Sequence, residues 1–114
     1  MIPPAVVILR VDGGVDCRPA PAVVRLDTLR DLIGCAYVDV VRLTSRLDMW
    51  IDDEGVYTQP PNPVATALAQ RYGRTWQSYH GTVVLAAFNE DGDTIGLTPA
   101  QVRGVLITLR DIAA

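Results

Sequence analysis

Leu47-Asp48-Met49-Trp50-Ile51-Asp52-Asp53-Glu54-Gly55, then Val56-Tyr57-Thr58-Gln59-Pro60-Pro61-Asn62-Pro63, then Val64-Ala65-Thr66-Ala67-Leu68, is the stretch on which the fold turns. Leu47, Met49 and Ile51 alternate with Asp48 and Trp50, as in a strand with two different faces. Asp52 to Gly55 reads as a tight acidic turn in which Gly55 takes the left-handed conformation. Val56 to Gln59 reads as a short return strand, ended by Pro60 and Pro61 because neither can donate to a ladder. Asn62 is placed to cap a helix that has Pro63 at its first position and runs to Tyr72, with Gly73 as the stop.

Working outward, Ala5 to Val11 is an apolar run bounded by Pro4 and Asp12-Gly13-Gly14, which predicts a buried strand. Asp12 to Pro21 reads as a loop and Ala22 to Leu26 as a second strand. Asp27 is the expected cap of a short helix through Ile33, with Leu29, Leu32 and Ile33 on one face and Gly34 as the stop. Tyr37 to Leu43 is a further strand. Trp76 to His80 is ambiguous. Gly81 to Phe88 is a buried strand, and Asn89 to Asp93 a turn. Thr98-Pro99-Ala100-Gln101 is a capping box. It opens a last helix that groups Val102, Val105, Leu106, Leu109 and Ile112. The expected fold is α+β: a mixed, mainly antiparallel sheet of five to six strands with two main helices and one short one. The helices are expected on one sheet face, in a single domain over residues 1–114.

Composition narrows the function. The chain has 114 residues, 49% of them hydrophobic, and a net charge of -3. All ten basic residues are arginine, against eleven Asp and two Glu. That balance lacks the basic stripe of a phosphate-driven nucleic-acid binder, so no nucleic acid is expected. The longest apolar run, Val83 to Phe88, is too short to span a bilayer. Met1-Ile2-Pro3-Pro4 lacks the basic segment and apolar core of an export signal, which leads to the expectation of a cytoplasmic protein. Cys17 and Cys35 form no Cys-x-x-Cys pair and are expected to be free thiols. The apolar surplus leads to the expectation of a homodimer, through a sheet edge or the last helix.

The order Gly34, Val38-Asp39-Val40, the acidic turn closing on Gly55, Pro61-Asn62 with Ala65, and Gly81 before an apolar strand resembles a known family over roughly residues 30 to 98. That family is domain of unknown function 3846, frequent in phage, plasmid and other mobile-element genes. Its members share a strand leading into an Asn-Glu-Glu-Gly-like turn, then Leu-Pro-x-Asn and a short alanine-containing helix. This chain has Asp52 where Asn is commoner and Pro60 in place of Leu. The resemblance implies a genomic neighbourhood and no activity, and it brings no catalytic residues.

Reaction chemistry is thin. Asp52, Asp53 and Glu54 are neighbours in a turn, where side chains diverge, so no metal is expected there. Asn89 to Asp93 fails as a calcium loop, because its first position would be Ala87 and its twelfth Thr98. His80, the one histidine, could act as a base, and a Cys35–His80 pair would make a small hydrolase. Ser45 and Ser78 lack a nucleophile-elbow context. Asp12-Gly13-Gly14 lacks the remaining residues of a phosphate loop. The densest grouping of binding-prone side chains is Arg71, Arg74, Trp76, Tyr79 and His80, which Trp50 could extend. The expectation is therefore an accessory protein of a mobile element that binds a protein partner and modulates a host system, with no cofactor. The alternatives are sequestration of a nucleotide-like ligand by the Arg and aromatic cluster, and the Cys/His hydrolase.

Overall fold

The computed structural model describes residues 3–113. Met1 and Ile2, part of the segment read for an export signal, lie outside them. The elements run β1 (Ala5–Leu9), β2 (Val15–Pro19), α1 (Leu26–Ile33), β3 (Val38–Arg42), β4 (Asp48–Asp52), α2 (Gly55–Thr58), α3 (Pro63–Arg71), β5 (Val83–Phe88), β6 (Thr94–Ile95) and α4 (Pro99–Ala113). The fold is α+β. Every strand pairing among the described residues is antiparallel, in the order β2-β1-β5-β4-β3, with β6 against the end of β5.

Central β5, Val-Val-Leu-Ala-Ala-Phe, is apolar throughout because both sheet faces are covered. Val83, Leu85 and Ala87 share one face with Val7, Leu9 and Met49, packed against Leu68, Ala69, Val105 and Leu109 of α3 and α4. Val84 and Ala86 share the other with Val6 and Ile8, packed against Val24 and Leu29 at α1. The helices thus lie on both faces, which corrects the one-face expectation. The short apolar stripe of α1 is enough to cover its side, because the residues beneath it are small or β-branched.

The second strand is Val15–Pro19 rather than 22–26. Gly13, at φ 89, and the Gly14 N–H bond to the Asp12 carboxylate at 2.8 Å reverse the chain within three residues. The polar sequence of β2 reads as loop because β2 is an edge strand, exposed over most of its length. Val23 and Val24 look like a strand, but Val24 is a plug beneath α1 whose N–H bonds the Thr94 carbonyl at 2.7 Å. The N-cap of α1 is Arg25, without a side-chain bond. Asp27 lies in the first turn and pairs with Arg30 at 2.9 Å.

The largest departure is at Gly55, which does not have a positive φ. Gly55–Thr58 is a short helix, not a return strand, with Val56 and Tyr57 exposed. A β-carbon on Gly55 would stand 2.8 Å from the His80 carbonyl oxygen. The glycine is required by close approach rather than by turn conformation.

The two other caps form as the spacing predicts. The Asn62 carboxamide oxygen accepts from the Ala65 N–H at 3.0 Å. Thr98 and Gln101 exchange their bonds at 3.2 and 2.8 Å. On α4, Val105 and Leu109 are buried and Val102 and Ile112 pack beside them, but Leu106 points outward. Cys17 and Cys35 are free. No helix among the described residues is long and apolar enough to cross a membrane.

Candidate functional site

The segment between α3 and β5 is positioned at both ends by backbone chemistry. At its start the Gly73 N–H bonds the Gln70 carbonyl at 3.1 Å and the Arg74 N–H bonds the Ala69 carbonyl at 3.0 Å. This paired closure, with Gly73 at φ 87, turns the chain off α3 toward the edge of the sheet. At its end a corner of glycines and amides grips Tyr79 to Gly81. The Asn62 N–H bonds the Tyr79 carbonyl at 2.8 Å, the Asn62 side chain donates to the Gly81 carbonyl at 2.9 Å, and the Gly81 N–H bonds the Pro60 carbonyl at 2.9 Å. The turn, Pro61, Asn62 and Gly81 that carry the family resemblance therefore meet at one place. Together they set the path of residues 74 to 80.

Along that path Arg74 reaches β3. Its guanidinium donates to the Arg42 carbonyl at 2.8 Å and lies 5.6 Å from the centre of the Trp76 ring. Trp76 is 66% exposed, although its ring is large and apolar. Such a side chain in water is the informative kind of exposure, because indole burial is among the larger gains a contact can make. A cavity of about 250 Å³ lies here, between Arg74, Trp76 and β3 residues Val40 and Val41. A second, of about 130 Å³, is lined by Asp39, Asp52, Asp53 and His80, and the two share Gln77 and Tyr79. They form one groove beside β3. Arg74 stands at one end and three carboxylates at the other, and none of the four takes part in an ion pair among the described residues.

The edge beside the groove is open. The Asp53 N–H bonds the Tyr37 carbonyl and the Leu43 N–H bonds the Leu47 carbonyl, so the odd-numbered residues of this strand face β4. Val38, Val40 and Arg42 point their backbone groups outward. Two of those groups are held from within the chain, the Val40 N–H by Asp39 at 2.8 Å and the Arg42 carbonyl by Arg74.

The expected cluster is only partly assembled. Arg74 and Trp76 are together on the surface. Tyr79 is 3% exposed and belongs to the core, and burial pushes its hydroxyl pKa upward. Arg71 is drawn away to Asp111 of α4 at 2.8 Å. Trp50 packs on the opposite sheet face with Val6 and Val84 and does not extend the patch. His80 lies in the acidic half of the groove, with Nδ1 on the Gln59 carbonyl at 3.0 Å and Nε2 on the Ser78 hydroxyl at 2.9 Å. A carbonyl only accepts, so Nδ1 carries a proton, and in the neutral imidazole Nε2 is then the acceptor for the Ser78 hydroxyl. That Ser–His contact resembles an activated nucleophile. Three aspartates in the same cleft oppose the oxyanion that acyl transfer must form. Cys35 bonds the Tyr37 carbonyl, and burial, with Asp52 adding to it, pushes its thiol pKa up, away from the thiolate a Cys/His hydrolase uses.

Asp39, Val40 and Gln77 escaped the sequence reading as site residues, and Asp52 and Asp53 were weighed there as metal ligands and set aside. The alternation of Val38, Asp39 and Val40 was visible, but that β3 is the last strand of the sheet was not. Among the described residues no three His, Cys, Asp or Glu side chains converge as metal ligands. A family model described as Domain of unknown function (DUF3846) matches residues 6–110, a wider span than the motifs alone cover. No curated protein and no solved structure matches the chain.

Proposed function

We propose that this chain, which belongs to the DUF3846 family, is a binding protein that engages a protein partner through the groove beside β3, with Trp76 as its anchor. The observation that carries this reading is an indole 66% exposed beside a guanidinium held in place at 2.8 Å. Trp and Arg dominate the energies of protein interfaces, and a preset pair loses little entropy when bound. The nucleotide reading is less favoured, because Arg71 is engaged with Asp111 and the other half of the groove is acidic. In keeping with the genomic setting that the resemblance implies, the role proposed is that of an accessory protein of a phage, plasmid or other mobile element, acting on a host system.

A photo-crosslinking residue at position 76 should join the protein to one discrete partner in its host. The same residue at Val15, on the opposite sheet edge, should not. Trp76→Ala should abolish retention of that partner and shift stability by less than about 1 kcal/mol, as surface substitutions do. Retention at full strength would place the contact elsewhere, and unfolding would show Trp76 to be structural.

We also propose a homodimer through α4, whose Leu106 and Ile107 are 38% and 59% exposed. Light scattering at high micromolar concentration should then give twice the 12.4 kDa chain mass. A monomer there would remove the dimer.

A further inference from the structure

We infer that the groove takes its partner as an extended strand laid beside β3, carrying a basic residue against Asp39, Asp52 and Asp53 and an acidic residue against Arg74. This rests on the partner-binding reading and names the kind of segment it would accept. Three observations lead to it. The first is the row of outward backbone groups on Val38, Val40 and Arg42, which an added strand can pair, as at other sheet edges that recruit peptides.

The second is charge. Asp39, Asp52 and Asp53 at one end, and Arg74 at the other, have no ion-pair partner among the described residues. Arg42 does not duplicate Arg74, because its guanidinium is spent on Asp48 at 3.2 Å and on the Phe88 ring at 3.7 Å. β3 has five residues, which at about 3.4 Å per residue spans ~17 Å. The matching basic and acidic side chains therefore fall about four residues apart, which leaves both on the same face of the added strand.

The third is the contrast with the other sheet edge. There the outward residues of β2 are Val15, Cys17 and Pro19, as the Arg10 N–H bond to the Gly14 carbonyl and the Ala20 N–H bond to the Pro4 carbonyl require. Pro19 has no N–H to offer, and Asp16 is paired with Arg10. Strand addition is therefore directed to β3. The Asp39 bond to the Val40 N–H would be exchanged for a strand bond, freeing that carboxylate, while the Arg42 carbonyl, with two lone pairs, can accept a strand N–H and still hold Arg74 in place.

The test uses fluorescein-labelled peptides of about ten alternating Thr and Val residues, with Arg and Glu four residues apart. Fluorescence anisotropy should show saturable binding. A peptide with Glu at both positions should bind at least about tenfold more weakly, and so should one N-methylated on alternate amides. Combined Asp52→Asn and Asp53→Asn should weaken the first peptide about tenfold and reduce its salt dependence. Equal binding of all peptides, or no saturation by millimolar concentration, overturns the inference. If the crosslink at position 76 still captures its partner in that case, the partner-binding reading survives and the strand geometry does not. Loss of both removes the reading as well.

Discussion

Leucine in place of Asn62 should destabilise the protein by about 3–5 kcal/mol, a large part of the stability of an ordinary domain. Asn62 is fully buried, and its side chain makes three bonds that join α3, β1 and the segment leading into β5. It accepts from Ala65 at 3.0 Å, and it donates to the Gly81 carbonyl at 2.9 Å and to the Leu9 carbonyl at 3.3 Å. Leucine keeps the branched outline, with bulkier methyl groups, and removes every bond. The cap alone is worth about 1 kcal/mol, and each buried group left without a partner costs about 1–3 kcal/mol more. Asn62→Asp gives a sharper version. Its carboxylate would keep the cap but face two carbonyl oxygens, so its folded-state pKa should be raised. Such a group penalises folding when ionised, and this variant should therefore regain stability as pH falls through that raised pKa. Urea unfolding of both variants measures the effect. A loss under 1 kcal/mol for Asn62→Leu would show that the corner does not depend on this amide.

Substitutions at Gly55 should be nearly as damaging, and their pattern tells two explanations apart. If the glycine served a left-handed turn, Asn would be tolerated and Val would not. The structure instead places a β-carbon 2.8 Å from the His80 carbonyl oxygen, so Ala, Asn and Val all collide with backbone. His80 cannot easily withdraw, since Pro61 bridges to it and Gly81 follows it under the Asn62 amide. Each of the three should cost about 2–4 kcal/mol, with Asn no better than Ala. Thermal melts in which Asn matches wild type would restore the turn explanation.

These two residues show where the sequence was legible. Several readings that rested on local chemistry match the structure: Asn62 and Thr98 as caps, Gly34 and Gly73 as helix stops, the alternation of Leu47, Met49 and Ile51. Each follows from a bond or a periodicity spanning a few residues. Asp27 as the cap of α1 does not match, since the N-cap is Arg25 and Asp27 pairs with Arg30 instead. Val15–Pro19 was missed because an edge strand has little to bury, and its strand character comes from β1 across the turn. Gly55 was misread because its neighbour in space, His80, is far along the chain, and no local pattern reports such a contact. The candidate site was legible in composition only. Arg74 and Trp76 meet as their proximity in sequence suggests. Tyr79, between them and His80, is turned into the core by the Thr66 and Asn62 bonds on either side of it. Asp39, Asp52 and Asp53 acquire meaning only when β3 is known to be an edge and the chain from 74 to 80 runs beside it.

Amide hydrogen exchange on β3 tests the binding role most directly, compared between the free protein and the complex isolated through position 76. In the free protein Asp39 and Val41, bonded to β4, should exchange slowly, and Val38 and Arg42, pointing outward, should exchange fast. In the complex Val38 and Arg42 should become protected while Val15 and Cys17 on the opposite edge do not change. Protection that falls on α1 or α4 and leaves Val38 and Arg42 as fast as before would contradict the account.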